Sequence, residues 1–151
     1  MTKFTLQASF LLLAVFAVSG CATKNLIVER QGAYQAYQEE DYGAAAGKFE
    51  KLVEEIPKDA ELWFRLGNSY AKIALPEKAI KAYQNALLRD PKMGKAWYNM
   101  GLIHLQAALK SFVDMDSYVA ENDPVAKRGE LMREGIFSLL ETPADKNEHE
   151  N

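Results

Sequence analysis

The sequence predicts an all-α chain: a short stack of antiparallel helix pairs closed by a C-terminal helix. Three observations carry that expectation. From Gln31 onward, few stretches alternate polar and apolar residues as a half-buried strand would; small and apolar residues recur at helical spacing instead. Several residues then return at one interval. Pro57 and Pro91, Trp63 and Trp97, Gly67 and Gly101, Ala45 and Ala79, and the rings Phe49 and Tyr83 are each 34 positions apart. A fixed interval of this size marks a repeat architecture, in which a unit too small to bury its own apolar face stacks on its neighbours. Composition sets the scale: 151 residues, 48% hydrophobic and 26% charged, support one domain with a modest core.

The charge balance narrows the function classes. Lys and Arg total 18 against 21 Asp and Glu, a net charge of −3, with no basic run of the kind nucleic acid requires. One cysteine excludes an internal disulfide framework and a cysteine-based zinc site.

The first element is a leader. Lys3 supplies a positive start, and Leu6 to Val18 is mostly apolar but shorter than the ~20 residues of a membrane span. Small residues follow, leading to Cys21, which is the layout of a signal peptide. The stretch Val18-Ser19-Gly20-Cys21 resembles the bacterial lipobox. That resemblance implies cleavage before Cys21, attachment of diacylglycerol to its thiol and acylation of its new amino group. Two or three acyl chains, at about 0.8 kcal/mol per buried methylene, anchor a protein stably. Residues 1–20 are then a signal peptide, and 21–25 the lipidated cysteine and a short tether. In such lipoproteins an aspartate after the cysteine holds the protein in the inner membrane; Ala22 stands there, which implies the outer membrane, on its periplasmic face.

The next elements are the repeats, expected over 26–124. The middle unit, Ala60 to Pro91, resembles the tetratricopeptide repeat at Trp63, Leu66, Gly67, Tyr70, Ala79, Tyr83, Ala86 and Pro91. The resemblance implies two antiparallel helices. Gly67 and Ala79 are small where they meet, Tyr70 and Tyr83 fill the space between them, and Ala86 lets the next repeat stack. Pro91 ends the second helix, and Pro76 suits the first turn of that helix, where no amide hydrogen is missed. The unit before it keeps Ala45, Phe49 and Pro57 but has Glu29 in the tryptophan place. The unit after it begins well with Trp97 and Gly101, then loses the alanine and aromatic places over Ser111 to Pro124. Degenerate outer repeats are common where one face meets water. A last helix over 125–140, with Leu131, Met132, Ile136, Phe137, Leu139 and Leu140, is expected to cap the stack, and 141–151 to be a polar, disordered tail.

No enzyme is legible. His104 occupies the place of Tyr70 and reads as a packed core or interface residue; nothing near it completes a metal site. Glu39–Glu40 and Glu54–Glu55 are adjacent and so do not share a helix face. Phosphate loops and nucleophile elbows are absent from the sequence. No cofactor and no metal is expected.

In tetratricopeptide proteins the first helix of each repeat lines a concave groove. Carried over, the groove set is Arg30, Tyr34 and Tyr37, then Phe64, Arg65, Asn68 and Lys72, then Lys95, Tyr98 and Asn99. Arg30, Arg65, Lys72 and Lys95 stand out against an acidic chain, and Arg and aromatic residues are common interface anchors. The expectation is a lipid-anchored adaptor that binds a protein or peptide segment in this groove, as an assembly or scaffolding factor for a pilus, secretion or cell-wall complex. The alternative is a periplasmic glycan-binding or polysaccharide-export subunit using the same rings.

Overall fold

The computed structural model describes residues 25–141, and these contain six helices and no strand. They are α1 (25–38), α2 (Tyr42–Glu55), α3 (Ala60–Lys72), α4 (Pro76–Arg89), α5 (Gly94–Met115) and α6 (Pro124–Glu141). The leader, Cys21 and the tether up to Lys24 lie outside the described residues, as does the tail from Thr142. The chain forms two compact units that part between Lys92 and Met93.

In the first unit, each turn is built by a local device. Asp41 caps α2 by accepting from the Ala44 amide at 3.0 Å, and Asp59 caps α3 by accepting from Glu61 and Leu62 at 3.0 and 3.2 Å. Pro76 opens α4 at its first turn, as expected, and no side chain caps that helix. The turns before α2 and α4 each use one left-handed residue, Glu40 (φ 61°) and Ala74 (φ 56°), which again are 34 positions apart. The core between helices holds Ala45, Phe49, Leu52, Leu62, Leu66, Ala79, Tyr83 and Ala86. Gly67 is required by close approach: a Cβ there would meet the Tyr83 ring at 2.5 Å. Tyr83 cannot swing aside cheaply, because it is buried and its hydroxyl donates to Asn68 Oδ1 at 2.8 Å. Trp63 is half-buried; its Nε1 donates to the Pro57 carbonyl at 3.0 Å and the Arg89 guanidinium lies 4.9 Å from its ring centre.

The second unit departs from expectation. A second helix of the third repeat over Ser111–Pro124 does not form; α5 runs on through Ser111 to Met115, and its partner is α6, the helix expected as a separate cap. The reason is local. Thirty-four positions after Pro76 stands Lys110, and no proline interrupts the chain between Pro91 and Pro124. Gly129 is the close-approach point of this pair, against Met115 and Phe112, and Arg133 forms an ion pair with Asp116. Leu131, Met132, Phe137 and Leu139, expected to be covered, are all more than 50% exposed. His104, read as a packed residue, is exposed on α5.

Candidate binding surface

The first helix of each pair in the first unit contributes to one connected surface. Arg30 on α1 donates to Asp59 Oδ2 at 2.6 Å, joining α1 to the start of α3. Burial alone would raise the Asp59 pKa, but the Arg30 bond and the capping amides outweigh it and hold the carboxyl below its ordinary value. Four residues on, Tyr34 packs edge-on against Phe49, with ring centres 5.4 Å apart. The Arg65 guanidinium lies 5.4 Å from the Tyr34 ring centre and 5.8 Å from that of Phe64, and its Nε donates to Glu61 at 2.7 Å. Further along, Tyr37 meets Tyr42 edge-on at 5.2 Å, and Lys72 Nζ sits 5.6 Å from the Tyr42 ring centre.

Burial raises the pKa of both Tyr34 and Tyr37, with Glu61 adding to the first and Tyr42 to the second. Both phenols therefore stay protonated at neutral pH as hydrogen-bond donors. The chemistry of the face is three tyrosine rings, two of them with a cation laid against the ring, a surface for stacking, apolar contact and directional hydrogen bonds.

Arg30, Tyr34, Tyr37, Arg65 and Lys72 thus come together in one surface. Phe64 does not join it as a ligand-facing ring: it is 4% exposed and faces Tyr83 at 5.9 Å. Positions 64, 67 and 68 form one ridge of α3, and that ridge packs on α4. Asn68 lies on the same ridge, and its Oδ1 accepts from Tyr83. Nor are the cations unpaired charge. Arg30 and Arg65 are held by Asp59 and Glu61, and Lys72 rests over a ring. Lys95, Tyr98 and Asn99 lie on α5 in the second unit; Lys95 and Tyr98 are exposed and Asn99 is half-buried.

Sequence reasoning missed Tyr42 because it sits at the start of a second helix, outside the positions carried over. The only signal was its place beside the capping Asp41. Among the described residues, no cluster of three or more His, Cys, Asp or Glu could hold a metal. None of the described helices is long and apolar enough to cross a membrane.

With this geometry in place, comparison with known proteins settles the repeat. Residues 60–93 are a tetratricopeptide repeat. The general transcriptional corepressor trfA of Dictyostelium discoideum is 33% identical over 88 residues, covering 52% of this chain and 6% of its own length. The peroxisomal targeting signal receptor of Kluyveromyces lactis is 30% identical over 95 residues, covering 59% of this chain and 17% of its own. The chain therefore spans only a small part of these curated relatives. Among solved structures, the Yersinia enterocolitica type III secretion chaperone SycD, in complex with a peptide of the translocator YopD, superposes with TM-score 0.56 at 20% identity. That match covers 78% of this chain and 96% of the other. PcrH, in complex with the chaperone binding region of PopD, gives 0.54 at 19% identity, over 78% and 94%. Among the described residues the fold is an all-α helical repeat.

Proposed function

We propose that this protein is a lipid-anchored adaptor that holds a segment of a partner protein against the α1/α3 face. The observation that carries the reading is the run Tyr34, Tyr37 and Tyr42 with Arg65 laid over Tyr34. Tyrosine and arginine dominate the anchor positions of protein interfaces, and here ring contacts and ion pairs hold them in place before a partner arrives. Two structural neighbours, SycD and PcrH, were solved with segments of partner proteins bound, which supports a protein segment as the ligand. The partner is gripped mainly by rings and hydrogen bonds, because the cations of this face already have local partners.

Val18-Ser19-Gly20-Cys21 after an apolar leader supports cleavage after residue 20, lipidation at Cys21 and a tether over 21–25. Ala22 supports sorting to the outer membrane, facing the periplasm, where an assembly or scaffolding role in an envelope machine follows. Lys95, Tyr98 and Asn99 are a separate candidate contact on the second unit.

The test is capture of partners from a solubilised envelope extract by the full chain. Truncating an anchor costs about 2 kcal/mol or more, roughly thirtyfold in affinity. Arg65→Ala and Tyr34→Ala should each lose the captured protein, whereas Lys92→Ala, at an exposed position, should keep it. Equal loss in all three, or in none, sinks the assignment of this face, and retention on polysaccharide in place of protein favours the glycan reading. For the anchor, Cys21→Ser should abolish labelling by a radioactive fatty acid, and Ala22→Asp should move the protein to the inner membrane. Persistent label in the first variant removes the lipid from the account.

A further inference from the structure

A second surface lies in the same unit, built by other helices. Between α2 and α4 runs a cleft of about 510 Å³ whose floor is a stripe of α3, Trp63, Leu66 and Tyr70. That volume falls within the range of about 300–1,000 Å³ typical of ligand sites. Its two rims carry opposite charge: Glu50 and Glu54 on α2 face Lys78 and Lys81 on α4.

The two ends differ. At one end the rims are tied through the floor. The Tyr70 hydroxyl donates to Glu50, and Lys78 Nζ lies 5.1 Å from the Tyr70 ring centre. At the other end no such tie exists. Glu54 and Lys81 are exposed, and neither forms an ion pair among the described residues. Between them lie Val53, Leu66 and Ala82 with the flank of the Trp63 ring. The Trp63 ring is kept in place by its bond to Pro57 and by Arg89.

We propose that this cleft is a second docking site, for a partner-protein segment in which an apolar residue stands between a base and an acid. Charge complementarity selects that occupant. An apolar side chain lies against the half-buried Trp63 ring, a cation meets Glu54, and a carboxylate meets Lys81. A wholly acidic or wholly basic segment satisfies one rim and is repelled by the other. This site is independent of the α1/α3 face and would allow one chain to hold two segments at once.

Three capped peptides serve as probes on the full chain: acetyl-Lys-Leu-Asp-amide, acetyl-Asp-Leu-Asp-amide and acetyl-Lys-Leu-Lys-amide. The readout is the indole N–H resonance of Trp63, assigned through Trp63→Phe. The unmodified chain should bind the mixed-charge peptide about fivefold more tightly than either like-charged one, the factor expected of one exposed ion pair at its upper strength. Glu54→Lys should switch the preference to the Asp-Leu-Asp peptide and Lys81→Glu to the Lys-Leu-Lys peptide, with unchanged melting because both positions are exposed. Arg65→Ala should leave all three affinities as they were, which separates this site from the α1/α3 face. An unmoved Trp63 signal at millimolar peptide, or preferences indifferent to the rim charges, overturns the proposal.

Discussion

Two segments of the chain carry nearly the same letters and use them differently. In α3, Trp63 donates to Pro57 under the Arg89 guanidinium, and Gly67 lies against the Tyr83 ring. In α5, 34 positions on, Trp97 is 54% exposed and a Cβ on Gly101 would meet nothing within 4 Å. The difference lies in the partner helix. In register with Tyr83, the ring that needs the hollow at Gly67, stands Ser117, which falls in the turn after α5. The α5–α6 pair makes its close approach elsewhere, at Gly129 on the second helix. A repeat signature is therefore a statement about two helices: without the matching ring, the glycine survives as a letter without a packing role.

Ring deletion gives the largest contrast. Tyr83→Ala should lower stability by about 3–5 kcal/mol, since it empties a buried ring site and removes the hydrogen bond to Asn68. Tyr98→Ala, at an exposed site on α5, should stay within about ±0.5 kcal/mol. Chemical denaturation of each variant measures both, and equal losses would break the comparison.

The helix starts give a smaller one. Asp59 caps α3 with two amides, whereas Met93 in the same register offers α5 no side-chain cap. Asp59→Ala should cost about 1 kcal/mol, and Met93→Asp should recover a comparable fraction on α5. A loss from both would mean that α5 does not begin where the structure places it.

The smallest effect is set by pH. The Asp59 carboxyl is held below its ordinary value in the folded chain, so ionised Asp59 stabilises the fold above the ordinary aspartate range. That contribution is lost as pH falls through the depressed folded value. Asp59→Asn retains a capping side chain but removes the ion pair with Arg30, and should flatten this acid dependence for a cost of about 0.2–1 kcal/mol at neutral pH. An unaltered acid limb in the variant would show that the Arg30–Asp59 pair carries no charge-dependent stability.

Much of the first unit was legible in sequence because its signals are local or strictly periodic. Pro76 and Pro57 mark helix boundaries, and Gly67, Ala79 and Tyr83 mark the contact between helices. The second unit is less legible because its helix-stop signal is absent. With Lys110 in place of a proline, nothing stops α5, and Ser111 to Met115 stay helical. The α1/α3 face was legible in its first-helix residues, Arg30, Tyr34, Tyr37 and Arg65. What sequence position could not reveal was which neighbours those residues choose. Phe64 and Asn68 sit on the right helix, but their ridge turns toward Tyr83, and the cations find Asp59 and Glu61 across or along the helices.

The central claim, that the signature glycine packs in one unit and is idle in the other, is tested most directly by one pair of variants judged on sign. Gly67→Ala and Gly101→Ala make the same change at equivalent places in two helices. Alanine favours a helix interior over glycine by about 0.8–1.0 kcal/mol wherever space permits. At Gly101 the space is open, so Gly101→Ala should raise the melting midpoint. At Gly67 the new Cβ strikes the buried Tyr83 ring, and overpacking of this kind costs about 1–3 kcal/mol, so Gly67→Ala should lower it. Opposite shifts are the predicted result; shifts of the same sign would contradict the account.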